Sequence, residues 1–424
     1  MSLLDSLLRD EGGVEAPDAQ RLSARAQLRR HGLPAARDEA WRYSSLRTLA
    51  SKSFVLHDEA ASTRALPARM QSRIAAATHR LVFVNGVLRS DLSTLQALPR
   101  GVRIDATLPT LQRSAEFSPA DAFVAANQAL ASAGAAIEVA ADTKWAAPLH
   151  VFYVGLTTQT PTMLHTRLRV RLAERAEGVL IEEHLGDADS ALLCNRVLEV
   201  QLDADARLTH MRSIDGAANA NSIHTSGYRL EKGAMVETFE LTPGQALNRH
   251  QLDVELLGDG ARFVSGGVQA LSGRAHSDVQ LSVHHRARNT SCDLIWRGIA
   301  DQRARLGFTG NLHVDIGADG ADAKLSSKNL LLSPHAEINT RPVLVIHADE
   351  VKAAHGATVG RLDERALFYL RSRGIPLARA RVMLTHAFAI EALQALSDES
   401  LRAQMSAALR TLMAEFVGAD DAER

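Results

Sequence analysis

The sequence predicts a mainly β protein in which a long core of short strands lies between two helical regions. From Leu149 to about Ala348, segments of roughly 5–9 residues alternate apolar and polar side chains, as half-buried strands do. The turns between them recur at a nearly constant spacing, which is typical of a solenoid. No helix-length segment separates these strands, and this excludes a doubly wound sheet.

The first region, residues 1–80, is predicted to be helical. Ala19–Gly32 carries Ala, Leu and Arg at amphipathic spacing, and Gly32 and Pro34 then end the helix. Trp41 and Tyr43 follow in a chain with only 4% aromatic residues. Such a pair is expected to anchor the helical region to the body of the protein.

The second region, residues 81–350, is predicted to be the β core. It opens with Leu81–Asn85 and a turn at Gly86, and a helical insertion is expected near residues 121–131. The most regular alternation predicts these strands: Leu149–Val154, Leu164–Leu172, Val197–Leu202, Met235–Leu241, Gln251–Leu257, Asp278–His284 and Arg341–Ile346.

Small residues mark the repeat within this core. Ala176, Ala206, Ala234 and Ala261 each precede a new strand, and they are 27–30 residues apart. Two all-β architectures fit alternating strands, a sandwich and a β-helix, and the fixed spacing favours the β-helix. The repeat is expected to decay after Ala261, and not every coil can be traced in the sequence.

The third region, residues 351–424, is predicted to be helical. Asp363 and Glu364 suit the first turn of a helix Arg365–Arg373, which ends at Gly374. Pro376 opens a second helix, and Leu401–Val417 forms a third. A helical cap of this size is expected to cover the open end of the solenoid, and its remaining apolar surface suits a partner.

Composition excludes several classes of function. The 48 basic and 49 acidic residues are mixed along the chain, so nucleic acid is not an expected partner. No stretch reaches the roughly 20 apolar residues needed to cross a bilayer, and the start lacks a secretory signal, so a cytoplasmic protein without membrane contact is expected. The two cysteines, Cys194 and Cys292, agree with a reducing compartment. No phosphate-binding loop is present, so ATP hydrolysis by this chain is not expected.

Paired carboxylates leave one enzymatic alternative, a β-helical enzyme that acts on polysaccharides. Asp315 and Asp319 lie at strand ends where a groove could form, but the strands carry few aromatic platforms for sugars. The histidines show no metal-binding spacing. Two distant cysteines cannot supply the four ligands of an iron–sulfur cluster, so any cluster has to be shared with another chain.

Three segments carry a family resemblance. Asn339–Tyr369 continues into Leu370–Ile375 and contains HGATVG and LFYLRSRGI, Glu39–Ser44 reads EAWRYS, and Phe83–Gly86 reads FVNG. Together they resemble the SufB/SufD family of iron–sulfur cluster assembly scaffolds, and the wording of the longest segment is closest to SufD, a subunit of the SufBCD complex. A SufB-type subunit is the alternative within the family. The absence of any cysteine after Cys292 disfavours it.

The resemblance implies a right-handed parallel β-helix flanked by helical regions, and a scaffold rather than an enzyme. It implies pairing with a SufB-like subunit through the β-helices, a SufC-like ATPase bound by the C-terminal helical region, and a homodimer when the subunit is isolated. No cofactor is expected to stay bound to this chain alone. The iron–sulfur cluster is transient and shared with a partner, and ATP is bound only by the partner ATPase.

The resemblance also assigns roles to residues. His355 matches a histidine implied to bind iron or the cluster at the partner interface, and imidazole suits iron. The ATPase is expected to contact the segment Arg361–Ile375 and the helix that follows. The residues expected to make that contact are Arg365, Phe368, Tyr369, Leu370, Arg371 and Arg373.

Overall fold

The computed structural model describes most of the chain. The described ranges are 2–9, 19–35, 37–56, 62–94, 98–111, 122–145, 147–187, 190–216 and 218–421, with the backbone alone for 415–421. Asp121, at the start of the predicted helical insertion, lies outside the described residues, as does Met1.

Twenty strands form two sheets within these ranges. The back sheet contains β2 His79–Val84, β3 Val87–Leu88, β6 Leu149–Gly155, β8 Glu177–Gly186, β10 Arg207–Gly216, β12 Met235–Thr242, β14 Arg262–Leu271, β16 Ser291–Ala300, β18 Asp322–Leu331 and β20 Lys352–Gly360. The front sheet contains β1 Val55–Leu56, β4 Val102–Asp105, β5 Ala133–Val139, β7 Thr162–Leu172, β9 Leu192–Leu202, β11 Asn221–Leu230, β13 Leu247–Leu256, β15 His276–His285, β17 Arg305–Val314 and β19 Glu337–Ile346.

Consecutive strands of the core alternate between the two sheets. Each of them pairs in parallel with the strand two positions earlier, β8 with β10 and β9 with β11 for example, so that every coil gives one strand to each sheet. A sandwich would instead join antiparallel neighbours. The fold is therefore a parallel β-solenoid of about seven turns, and the predicted fold class is confirmed.

The repeat continues beyond the point at which the sequence lost it. The four alanines that precede strands are completely buried at the corners of the coils. The register of β14, β16 and β18 places Thr290 and Ala321 at the same corner, and both are also buried. The expectation that the repeat decays after Ala261 was wrong, because the buried Thr290 takes the position that alanine holds in the neighbouring coils.

Helices flank the solenoid, and one helix is inserted between two strands of the front sheet. They are α1 Leu3–Leu8, α2 Ala19–His31, α3 Arg47–Ala50, α4 Ala68–Ala75, α5 Ala122–Leu130, α6 Glu364–Ser372, α7 Leu377–Ala389 and α8 Glu399–Asp421, with 3₁₀ turns at Glu39–Trp41 and Ile390–Ala395. Helix α5 is the predicted insertion. Asp363 caps α6, since its carboxylate accepts hydrogen bonds from the backbone N–H groups of Arg365 and Ala366. No helix among the described residues is long and apolar enough to span a bilayer.

Strand β20 lengthens the core at its C-terminal end. It pairs with β18 from Lys352 to Gly360, so the back sheet continues past residue 350, where the helical third region was expected to begin. Arg361–Asp363 then lead directly into α6. The last coil and the C-terminal helices are therefore adjacent in the chain.

Candidate functional site

The last coil leaves an unpaired edge on each sheet. Strand β20 pairs with β18 and β19 pairs with β17, and neither has a second neighbour among the described strands. We call this the open end. The N–H of Lys352 donates to the carbonyl of Ala321, 2.8 Å away, and alternate residues of a strand point to opposite neighbours. The N–H groups of Ala353, His355, Ala357 and Val359 therefore point to the free edge.

Strand β19 offers fewer hydrogen-bond donors at its free edge than β20 does. Its Glu337 N–H donates to the carbonyl of Ala304 at 3.0 Å, so Pro342 belongs to the alternate set that faces outward. Proline has no N–H to offer a further strand, and it costs no ladder hydrogen bond at an edge. Strand β20 contains no proline and keeps every donor on its outer side.

His355 lies at the open end on a row of inward-facing residues. It aligns with Leu325 of β18, which aligns with Leu294 of β16. Those two leucines are 4% and 0% exposed, whereas His355 is exposed because no further coil covers it. An imidazole that would be buried in any earlier coil is thus presented to whatever binds the open end.

The chain offers few other metal ligands in this region. Among the described residues, no group of three or more His, Cys, Asp or Glu side chains is arranged to hold a metal ion. Cys194 and Cys292 are both buried. Burial raises the pKa of the Cys292 thiol to about 12, and its sulfur lies 3.3 Å from Nε2 of His285. Cys292 therefore stays protonated and provides no thiolate.

Most histidines of the later coils lie apart from one another. His284 and His313 stack on the outside of the front sheet with ring centroids 4.7 Å apart. His285 is buried, and His276 is half-buried. His335 and His347 are exposed, as His355 is.

The predicted ATPase-contact residues form one surface on α6. Phe368 and Tyr369 are 73% and 57% exposed, although large aromatic side chains normally avoid water. The guanidinium carbon of Arg373 lies 5.3 Å from the Tyr369 ring centroid, and Arg365 and Arg371 are exposed beside it. Leu370 is half-buried. The aromatic rings therefore do not pack the cap onto the last coil.

A shallow depression continues this surface. It has a volume of about 490 Å³ and is lined mainly by Phe368, Arg371, Ile375 and Leu377. We call these residues together with the exposed side chains of α6 the cap surface. It is apolar at the centre and basic at the rim, which is the usual composition of a protein interface.

Charge pairing fixes the cap to the last coils. The Glu391 carboxylate accepts hydrogen bonds from Nη2 of Arg297 at 2.8 Å and from Nζ of Lys328 at 3.4 Å. These bonds join the 3₁₀ turn after α7 to β16 and β18. Buried apolar residues of the same turn, including Leu393, pack against the back sheet. The cap surface is thus held near the open end. The expectation that the cap covers this end was wrong, because its buried apolar residues contact the face of the back sheet instead.

Comparison with known sequences identifies the family. Residues 154–388, more than half of the chain, match the SufBD core domain of the SUF system for iron–sulfur cluster assembly. The chain belongs to this family. Membership gives it a role in iron–sulfur cluster assembly, and the resemblance seen in the sequence motifs is confirmed.

Individual SufBD relatives match over nearly the whole chain. The iron–sulfur cluster assembly protein SufD of Escherichia coli is 28% identical over 404 residues, which cover 95% of this chain and 94% of SufD. A SufBD family protein of Synechocystis is 29% identical over 400 residues, covering 88% and 86%. A SufBD family protein of Mycobacterium tuberculosis is 27% identical over 388 residues, covering 89% and 88%.

The EAWRYS segment of this SufBD chain has a structural role. Trp41 is buried and stacks on Phe123 of α5, with ring centroids 5.4 Å apart. The guanidinium carbon of Arg249 lies 4.0 Å from the Trp41 ring centroid, and its Nη1 lies 2.7 Å from the Asp278 carboxylate. The Ser44 hydroxyl donates to the same carboxylate. We call Trp41, Ser44, Arg249 and Asp278 the N-terminal clamp, because they attach the first region to the front sheet.

The polysaccharide-enzyme alternative finds no support in a groove of this SufBD protein. A groove of about 820 Å³ lies between α4, the turns after the back-sheet strands and α8. Among the described residues, its lining contains one carboxylate, Asp215, and no aromatic side chain. A sugar-cleaving groove needs two carboxylates across the scissile bond. Asp319 pairs with Arg288 at 3.5 Å on a turn away from this groove.

Proposed function

We propose that this chain is a non-enzymatic scaffold subunit of iron–sulfur cluster assembly that pairs with a SufB-like subunit through its open end. The observation that carries the proposal is the pair of free strand edges, β19 and β20, at the end of the solenoid where the inward-facing imidazole of His355 is exposed. An unpaired edge is a template for another strand, and natural proteins normally block it. Here only Pro342 blocks part of one edge.

His355 is the proposed ligand of iron or of the nascent cluster at that interface. Imidazole nitrogen binds iron in many protein sites. One histidine cannot hold a cluster, and the buried Cys292 provides no thiolate, so the remaining ligands come from the SufB-like partner. The cluster is cargo shared between two chains, and this chain alone keeps none bound.

The cap surface is the proposed docking site of a SufC-like ATPase. Phe368, Tyr369 and Leu370 supply an apolar centre, and Arg365, Arg371 and Arg373 supply positive charge at the rim. The ATPase face that meets it is expected to carry carboxylates. ATP then acts only through this partner, in the cytoplasm.

Without partners the same edges support a homodimer. Two copies related by a twofold axis would each place β20 against the equivalent edge of the other, because a twofold interface uses the same patch on both subunits. The homodimer and the SufB-like pairing therefore compete for one surface.

Co-expression with SufB-like and SufC-like partners, followed by size-exclusion chromatography, tests the proposal. We expect one complex of all three chains. Replacing both aromatics, Phe368→Ala with Tyr369→Ala, should release the ATPase and leave the SufB-like subunit bound. Leu22→Ala is the matched control, since Leu22 is 53% exposed on α2, remote from the cap. A wild-type chain that elutes alone, or an ATPase retained by the double variant, would contradict the proposal.

A further inference from the structure

The space between the two sheets contains two facing rows of polar and charged residues. On the back sheet, three residues in register across neighbouring coils form the acidic ladder: Glu182, Arg212 and Glu240. On the front sheet, three residues in register form the basic ladder: Arg196, His224 and His250. All are buried except Arg196, which is half-buried. Charged side chains between sheets are costly unless each finds a partner.

The carboxylates of the acidic ladder are fully partnered. Nη1 of Arg212 lies 2.8 Å from Oε1 of Glu240, and Nδ1 of His250 lies 2.5 Å from Oε2 of Glu240. Oε2 of Glu182 lies 3.1 Å from Nε2 of His210. Burial raises the pKa of the Glu240 carboxyl, but the charges of Arg212 and His250 outweigh it and set that pKa at about 2. Glu240 is therefore ionised.

The guanidinium groups of Arg212 and Arg196 have only some of their hydrogen-bonding and charge partners. Nε and Nη2 of Arg212 are buried and have no hydrogen-bond partner among the described residues. The guanidinium carbon of Arg196 lies 4.6 Å from the Tyr153 ring centroid, and its Nη1 lies 3.4 Å from Nε2 of His224. No carboxylate of the described residues pairs with Arg196. Arg212 is paired with Glu240 but keeps two free donors, and the charge of Arg196 is not paired with a described carboxylate.

His184 adds further donors at this place. Its ring lies between Tyr153 and His224, with centroid distances of 5.0 and 4.8 Å. Both ring nitrogens of His184 are buried without a hydrogen-bond partner among the described residues. Burial, and then the charges of Arg196 and Arg212, lower the pKa of His184 well below its usual value. The imidazole is therefore neutral, and one of its nitrogens carries a hydrogen to donate.

We propose that Arg196, Arg212 and His184 bind a small monovalent anion inside the solenoid. Such an ion accepts hydrogen bonds from the free N–H groups and also compensates the charge of Arg196, which water cannot do. Sheets that face each other are about 10 Å apart and already hold these side chains, so a large oxyanion does not fit. The half-buried Arg196 provides the route from solvent.

Two ions share this chemistry, a halide and hydrosulfide. The hydrosulfide case rests on the proposed function, because cluster assembly consumes sulfur, whereas the halide case stands without it. Both are single negative charges of similar size. The experiment therefore uses bromide and chloride to establish the site and hydrosulfide to identify its natural occupant.

Crystals of the full chain soaked in sodium bromide locate the ion by anomalous scattering at the bromine edge. We expect a bromide peak within hydrogen-bonding distance of Nε or Nη2 of Arg212. Arg196→Gln should abolish it, and this partly exposed position is compatible with folding. Arg207→Gln is the matched control, since Arg207 is exposed at the start of β10, outside the ladders. No peak at Arg212, or an equal peak in Arg196→Gln, would overturn the proposal.

Chloride-35 NMR of the same proteins tests binding in solution. Exchange with a bound site broadens the chloride line, so the broadening should persist in Arg207→Gln and disappear in Arg196→Gln. Sodium hydrosulfide that removes the broadening at matched ionic strength would place the sulfur anion at the site. Hydrosulfide without effect would refute that link while bromide binding stands. Assembly with the partner chains is scored separately by co-elution, so the two proposals fail independently.

Discussion

At its beginning the solenoid ends in antiparallel pairs, β2 with β3 and β4 with β5, whereas at its end β19 and β20 each have one neighbour among the described strands. Helix α5 covers the early front-sheet coils, and its Phe123 is fully buried. At the other end the equivalent inward row reaches the surface at His355. Two ends of one repeat therefore meet solvent in opposite ways.

The contrast shows where the protein has been protected against strand addition. At the first end, the antiparallel strands β3 and β4 pair with β2 and β5, so the edges of the parallel ladders are not free there. The open end keeps free N–H groups along β20 and half-buried apolar residues such as Leu344 on β19. Exposed Val359, at 43%, would be costly on a permanent surface but useful in an interface.

The largest expected effect is a loss of folding stability when the N-terminal clamp is weakened. Asp278→Ala would leave the Arg249 guanidinium, 1% exposed, without its carboxylate. Removing one partner of a buried pair costs about 3–5 kcal/mol. Urea unfolding should show a loss of this size. Glu337→Ala is the control, since Glu337 forms a 3.6 Å surface pair with Arg305 on the same sheet and should cost about 1 kcal/mol or less. Equal losses would mean that the clamp is not a buried anchor.

A second effect, in acid, should also arise from buried residues rather than at the open end. Burial lowers the pKa of His165 to about 3 and that of His285 to about 4, from 6.5. Both stay neutral in the folded protein but are protonated in the unfolded chain as pH falls below 6.5. Stability is therefore complete above pH 6.5 and declines toward pH 4, by about 2 kcal/mol per histidine between pH 7 and 5.

Melting temperature measured against pH checks this second effect. His285→Gln should flatten the decline between pH 6.5 and 5, since the substituted side chain does not titrate. His335→Gln should leave the slope unchanged, because His335 is exposed. A slope that is the same in all three proteins would show that burial of His285 does not couple folding to pH.

Much of the fold could be predicted from the chain because each coil repeats a local pattern. The alternation of apolar and polar residues predicts the strands, and Gly374 and Pro376 predict the boundary between the first two helices of the cap. Strand β20 was missed because its sequence, rich in Ala and Gly, lacks the alternation that marks a half-buried strand. Only its pairing with β18 reveals it.

The candidate site was less accessible to sequence reasoning. His355 was found through a family motif, but its exposure depends on being in the last coil. The partner of Ser44 lies 234 residues away, at Asp278, and no local pattern connects them. The ladders were missed as well, although one signal was present. Arg212 stands two residues after His210, at positions where the preceding coil has leucine and glutamate and the following coil has threonine and glutamate.

A smaller effect should follow from blocking the β20 edge. Ala357→Pro removes an N–H that points to the free edge and breaks no bond to β18. Pairing should weaken by on the order of 2 kcal/mol, or about thirtyfold in the dissociation constant. Ala357→Val keeps the donor and is the control. Light scattering of the isolated chain would measure the homodimer. A proline variant that dimerises like wild type would place the interface elsewhere.

The smallest change to the molecule itself is expected at His355, and it separates assembly from chemistry. His355 is exposed and makes no side-chain hydrogen bond to the described residues, so His355→Ala should leave stability within about 0.5 kcal/mol and complex formation intact. Loss of one metal ligand should nevertheless slow cluster formation in the reconstituted complex about tenfold. His347→Ala, at another exposed histidine beside the last coil, is the control. Absorbance of the forming cluster gives the rate, and a wild-type rate in His355→Ala would mean that the open end pairs subunits without contributing a ligand.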